Sequence, residues 1–161
     1  MKLFVIRHAT AESMQEAGVS FDDERPLSES GLQEASALGD FLHRKNIHID
    51  LLLHSPLLRA YETAKRIEEK LHCKTVSCSQ LSTGCGVRTH LEVISEHKKI
   101  DALAIVGHQP TLEELILKLL NAEASYGISM KPCTMAVLDV DFHHHAPKAH
   151  LSALLNPDLI L

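Results

Sequence analysis

Lys2-Leu3-Phe4-Val5-Ile6-Arg7-His8 is a short apolar run that stops abruptly at a cation and an imidazole. Neither face of the run carries a polar side chain, which marks a strand buried on both sides, as in a parallel sheet. Side chains at the carboxyl end of such a strand emerge into the crevice where α/β folds bind ligands. Alone, Arg7-His8 is an ordinary polar strand end. Its meaning depends on what the rest of the chain brings to the same place.

Two later stretches repeat the pattern. Asp50-Leu51-Leu52-Leu53-His54-Ser55 and Asp101-Ala102-Leu103-Ala104-Ile105-Val106-Gly107-His108 are apolar runs that end in polar residues, each followed within one or two positions by a proline, Pro56 and Pro110. Helices are expected after each. The first continues through Leu57, Leu58, Ala60, Ala64, Ile67 and Leu71, and the second carries Leu112, Leu115, Ile116, Leu119 and Leu120 as its apolar stripe. Between the first two strands, residues 9–26 form a long polar loop of the kind that is often functional. Ser28 caps the helix after it, which has Leu32, Ala35, Leu38 and Leu42 at helical spacing and ends near Asn46. Lys74–Cys78 alternates weakly and suits a sheet edge. Leu81–Gly86 is a loop of small residues, and Val87–His97 reads as a helix. Glu123–Lys131 is irregular. Thr134–Phe142 and His150–Leu155 read as a hairpin whose turn holds His143, His144 and His145. The order β-α-β-α-β-α-β-α-β-β predicts an α/β fold, a three-layer sandwich with a mostly parallel central sheet and no lid insertion, with residues 1–161 as a single domain.

Composition narrows the function. The chain has 161 residues, 45% of them apolar, which excludes general disorder and suits one sizeable core. Its net charge of -5, with no basic block, argues against nucleic acid as a partner, and the absence of Trp argues against base-stacking platforms. No apolar run is long enough to span a bilayer, and the opening residues do not read as an export signal. Cys73, Cys78, Cys85 and Cys133 match no zinc spacing. Reduced thiols in a cytoplasmic, monomeric protein without a membrane partner are the expectation.

The three strand ends carry one chemistry. Arg7 and His8, then Ser55 and Arg59, then His108 converge on one edge of a parallel sheet although they are distant in sequence. Two arginines and two histidines repel one another unless an anion sits among them. Guanidinium forks and helix N-termini suit a phosphoryl group. Neutral imidazole is a competent nucleophile, and phosphoryl transfer needs positioning and charge neutralisation above all. No carboxylate cluster at metal spacing accompanies these groups, so a metal-free, cofactor-free reaction is the natural reading.

With these residues in hand, the chain resembles the histidine phosphatase (phosphoglycerate-mutase-like) superfamily. The resemblance is carried by Arg7-His8-Ala9, by Ser55-Pro56-Leu57-Leu58-Arg59-Ala60-Tyr61-Glu62-Thr63-Ala64 and by Val106-Gly107-His108, in matching order and spacing. It implies that His8 is the nucleophile and is transiently phosphorylated. It also implies that Arg7 and Arg59 hold the phosphoryl oxygens, and that His108 donates to them. Ala9 stands where the family usually has Gly, so the backbone there must avoid a conformation reserved for Gly.

Two further departures bear on substrate. Many members carry a catalytic glutamate after the third strand, where this chain reads Gln80-Leu81-Ser82-Thr83-Gly84-Cys85-Gly86. The other branch has Asp after the second histidine, where this chain has Gln109. An alkoxide leaving group needs such an acid, whereas protonated phosphoimidazole leaves as neutral imidazole and needs far less help. Arg25-Pro26-Leu27-Ser28-Glu29-Ser30-Gly31 resembles a segment of the small phosphohistidine phosphatases of the SixA type. Arg25 either adds a third cation to the pocket or pairs with Asp22 or Glu24. Thr83 either donates to a phosphoryl oxygen or is a small loop residue. Glu12 is a possible acid in the loop, and Glu62 reads as a structural partner. The histidine tract 143–145 either binds a metal or is a solvated turn. The resulting expectation is a metal-independent phosphatase for phosphohistidine on a partner protein of the histidine-containing phosphotransfer type. The alternatives are a broad phosphomonoesterase of small phosphorylated molecules and a non-catalytic phosphate-binding module.

Overall fold

The computed structural model describes residues 1–122, 127–143 and 146–159. Six strands form one sheet in the order β3-β2-β4-β1-β5-β6: β1 (Lys2–Arg7), β2 (Leu51–His54), β3 (Lys74–Ser77), β4 (Ala102–Gly107), β5 (Met135–Asp141) and β6 (Lys148–Leu155). Strands β1 to β4 run parallel, whereas β5 pairs antiparallel with both β1 and β6. The exposed strand β3 lies at one edge, as its alternating residues imply.

Five helices accompany the sheet: α1 (Met14–Ala17), α2 (Glu29–Arg44), α3 (Leu58–Leu71), α4 (Val87–Glu96) and α5 (Thr111–Leu119). The strands alternate between two cores. Phe4, Ile6, Leu52, Ala104 and Val106 pack against Ala35, Leu38 and Leu42 of α2 and Ala60, Ala64 and Ile67 of α3. Leu3, Val5, Leu53, Leu103 and Ile105 pack on the other face against Val93 and Ile94 of α4 and Leu112, Leu115, Ile116 and Leu119 of α5. The apolar runs of β1, β2 and β4 are thus buried on both faces, which is why they read as continuous rather than alternating.

The structure differs from the sequence-based expectation at two joints. The segment 9–26 is not a plain loop, since it contains α1 and a short 3-10 turn, Asp22–Glu24. Helix α1 is made by a capping box in which Ser13 and Glu16 satisfy each other's backbone N–H, and it ends at Gly18 with φ 66°. It buries no residue, so no apolar periodicity announced it. Helix α3 starts at Leu58 rather than at Pro56, because Leu57 is an extended N-cap at φ −62°, ψ 138°. Helix α2 is capped by Ser28 as expected, its side chain accepting from Gly31 N–H.

Register places the site. Arg7 stands opposite Gly107 and His54 opposite Val106, so His8, Ser55 and His108 each lie just past the end of a neighbouring strand. The ladder continues one step further, with His8 N–H donating to Gly107 O at 3.1 Å and Ser55 N–H to Val106 O at 3.0 Å.

Candidate active site

The imidazole of His8 is held in one tautomer. Its Nδ1 lies 2.7 Å from the backbone oxygen of Ala9, which only accepts, so Nδ1 carries the proton and Nε2 keeps its lone pair. Ala9 is itself fastened to α3: its N–H donates to Thr63 Oγ1 at 3.0 Å, and that hydroxyl donates to Arg59 O at 2.7 Å. The spacing from Arg59 to Thr63, one helical turn, therefore ties the backbone beside His8 to the arginine helix. Ala9 is not among the residues with positive φ, so the methyl group is tolerated where the resemblance would place Gly. Burial pushes the His8 pKa down to about 4, reinforced by Arg59, Arg7 and Arg25 and opposed by the bond to Ala9. A neutral imidazole with an exposed lone pair at Nε2 is what nucleophilic attack requires.

The His108 ring lies with its centroid 5.1 Å from that of His8. Its Nε2 is 2.8 Å from Ser55 Oγ, and Ser55 is fully buried. That hydroxyl accepts from Leu57 N–H at 3.3 Å, and its own proton finds its acceptor in His108 Nε2. The His108 proton then sits on Nδ1, which is buried with no partner among the described residues. Burial, then His8 and Arg59, lower the His108 pKa to about 3, so its ring is neutral near neutral pH.

Both arginines are anchored at one end and open at the other. Arg59 Nη1 donates to Asp22 O at 2.7 Å and Nη2 to Asp22 Oδ2 at 2.9 Å. Arg7 Nη1 donates to Met130 O at 2.7 Å. In each, Nε is buried and has no partner among the described residues. Three buried donors without acceptors, Arg7 Nε, Arg59 Nε and His108 Nδ1, are thus associated with the groups that surround His8. Leaving one such donor unsatisfied costs about 1–3 kcal/mol, more for a charged group, so an anion with several oxygens is the complement the arrangement lacks. Thr134 Oγ1 is also buried and unpartnered, opposite the end of β1, where Arg7 N–H donates to Thr134 O.

The remaining candidates divide. Arg25 pairs with Asp22 Oδ1 at 2.9 Å and donates through Nε to Glu12 O at 2.6 Å, yet it is close enough to depress His8. The ion pair with Asp22 is thus present, and the side chain lies close enough to His8 to act on it electrostatically. Thr83 is exposed and makes no side-chain hydrogen bond among the described residues. Glu62 accepts from Leu27 N–H at 2.7 Å, a structural role. Glu12 lies toward Glu16 of α1. Asp22 is held ionised, its pKa lowered first by Arg25 and then by Arg59, so it is no proton donor. Its bond to Arg59 spans 37 residues and had no sequence signal beyond an acid in the loop. Among the described residues no group of three His, Cys, Asp or Glu side chains is placed to hold a metal. His143 contacts Asp141, while His144 and His145 lie outside the described residues. No helix among the described residues is long and apolar enough to cross a membrane.

Comparison with known proteins is consistent with this geometry. The family model of the Histidine phosphatase superfamily (branch 1) matches residues 3–82. Phosphohistidine phosphatase SixA of Escherichia coli (strain K12) is 26% identical over 129 residues, which is 76% of each chain. A solved structure of the protein histidine phosphatase SixA complexed with tungstate superposes with a TM-score of 0.88 at 19% identity, covering all of both chains. A mycobacterial glucosyl-3-phosphoglycerate phosphatase, solved with VO3, superposes at 0.75 and 16% identity over 96% of this chain and 98% of that one. The shared sheet therefore serves more than one substrate class, and at these identities it speaks for the fold alone. Over β1 to the end of β3 this chain is similar to the histidine phosphatase superfamily, and over 76% of its length to a relative from it.

Proposed function

We propose that the chain is a metal-independent phosphohistidine phosphatase, acting on a phosphorylated histidine of a partner protein through a phosphorylated His8. The observation that carries the reading is the neutral His8, with Nδ1 pinned to Ala9 O, beside Arg7, Arg59 and His108, each with a buried unpartnered donor. In the first step His8 Nε2 forms a bond to phosphorus while the phosphorus–nitrogen bond of the substrate breaks. The substrate imidazole departs neutral, keeping the proton on its other ring nitrogen. One imidazole replaces another, so no external acid is needed. Water then displaces His8 Nε2 from phosphorus and leaves within the phosphate, returning His8 neutral. Arg7 and Arg59 neutralise the three spread oxygens, and His108 Nδ1–H donates to one of them.

The carboxylates near the site support this substrate over an alcohol ester. Glu62 is committed to the Leu27 N–H and Asp22 is held ionised by Arg25 and Arg59, and Gln109 offers no proton of that kind. The SixA relative adds the same substrate class by name. The test compares a phosphorylated histidine-containing transfer protein with a panel of phosphomonoesters in the presence of a chelator. Fast release from the first, with acid-labile phosphate captured on the enzyme and none captured on His8→Ala, is expected. Equal or faster turnover of sugar phosphates would favour a small-molecule phosphatase, and binding without any release would favour a recognition module.

A further inference from the structure

Gln109 occupies the position where the other branch of the family carries an acid, and the structure shows what it does instead. One N–H of its amide donates to Glu113 Oε1 at 2.6 Å and the other to Met130 O at 2.8 Å. Both partners accept, so the amide nitrogen must face them. Glu113 Oε1 also accepts from Met130 N–H at 2.9 Å. Met130 is therefore gripped at both its backbone nitrogen and its backbone oxygen by two side chains, one from the β4–α5 connection and one from the first turn of α5. The same Met130 oxygen accepts from Arg7 Nη1 at 2.7 Å, and its two lone pairs are then used.

Residues 127–131 belong to no helix or strand, so no ladder positions Met130. The side chain of Met130 is buried in the α4–α5 core, which fixes one end of the residue, and the Gln109–Glu113 pair fixes its peptide groups. Burial lowers the Arg7 pKa, and Glu113 is the charge that opposes it. A guanidinium held at one nitrogen can turn only as far as its anchor allows. The orientation of Arg7 Nε thus depends on the Met130 carbonyl, and the carbonyl depends on Gln109 and Glu113.

We infer that Gln109 and Glu113 are positioning residues that aim the Arg7 guanidinium at the phosphoryl group, acting through the Met130 carbonyl. The inference rests on the reading of Arg7 as a phosphoryl ligand. It makes Gln109 something other than a lost acid: the amide is needed because it donates twice, which a carboxylate cannot do beside Glu113.

Two readouts separate the inference from that reading. The first is tungstate affinity by calorimetry in a double-mutant cycle. Gln109→Met, which keeps volume but removes both bonds, should weaken tungstate about tenfold, the scale of a hydrogen bond to a charged group. It should weaken it no further in an Arg7→Ala background, because Gln109 acts through Arg7. Glu113→Gln keeps an acceptor oxygen and should restore most of the affinity lost in Glu113→Ala. The second readout is the Arg7 Nε–H signal in ligand-free protein by NMR, which should be sharp in the wild type and exchange-broadened in Gln109→Met. Additive losses in the cycle, or an Arg7 signal indifferent to Gln109→Met, would overturn the inference. If the wild type binds no tungstate while the Arg7 signal still responds, the positioning stands and the phosphoryl reading fails.

Discussion

The chemistry of His8 turns on a proton. An imidazole near neutral pH is ordinarily divided between two forms, and only the neutral one is a nucleophile. Here burial and three guanidinium groups hold it neutral, with its pKa at about 4. The ring signals of His8 should accordingly stay flat from neutral pH down to about pH 5, where a free histidine has already titrated. A midpoint near 6.5 in an NMR titration would contradict the geometry. His108 raises the complementary point, since in the proposed reaction it can donate only if its proton is on Nδ1. Ser55 sets that choice through its 2.8 Å contact with Nε2. Ser55→Ala should mix the tautomers, visible in the 15N shifts of His108. It should also lower kcat about tenfold, the value of one well-placed hydrogen bond in the transition state. An unchanged 15N pattern would show that another group orients the ring.

At the scale of elements, the site depends on two close approaches. Helix α2 begins beneath the loop that leaves β1, and a Cβ on Gly31 would stand 1.8 Å from Thr10 O. The loop is held there by Thr10 N–H and Oγ1 donating to Glu34 at 2.9 and 2.8 Å. Gly31→Ala should cost about 3 kcal/mol or more, because the obstacle is backbone rather than a yielding side chain, and the loss should appear as a lower urea midpoint. Helix α3 contributes Thr63, whose hydroxyl accepts the Ala9 N–H in full burial. Thr63→Val keeps the shape and removes the acceptor, so it should cost about 1–3 kcal/mol and lower kcat more than it raises KM. A variant as stable and as active as the wild type would mean that His8 is positioned by the β1–β4 ladder alone.

For the whole molecule, the same shifts make stability depend on pH. His8 and His108 both have folded pKa values below the ordinary 6.5, at about 4 and about 3. As pH falls below 6.5 the unfolded chain takes up protons that the folded chain refuses, so stability falls with falling pH. The loss proceeds until pH reaches about 4 for His8 and about 3 for His108, and it is absent above 6.5. Urea midpoints measured at neutral and acidic pH should show this slope, and His8→Asn should flatten it. An oxyanion that binds the proposed site would stabilise the folded state by linkage, and one lying among the two histidines should reduce the acid sensitivity as well.

Much of this molecule was legible in the chain because its signals are local. The apolar runs at β1, β2 and β4, their polar ends, and the Ser55-to-Thr63 block predicted the sheet, its parallel sense and the residues that gather at its edge. Those features follow from period, length and strand-end position, which neighbouring residues determine by themselves. Other features had no local signature. Helix α1 buries nothing, so it left no apolar period. Asp22 reaches Arg59 across the fold, and Arg25 pairs with Asp22 while still acting on His8. Gln109 looked like an absence until Met130 and Glu113 stood beside it. Sequence alone determined which groups could do the chemistry, because backbone propensity and hydrophobic pattern place them. Tertiary structure alone decided which nitrogen of each group is free, because a hydrogen bond between distant segments depends on where both ends come to rest.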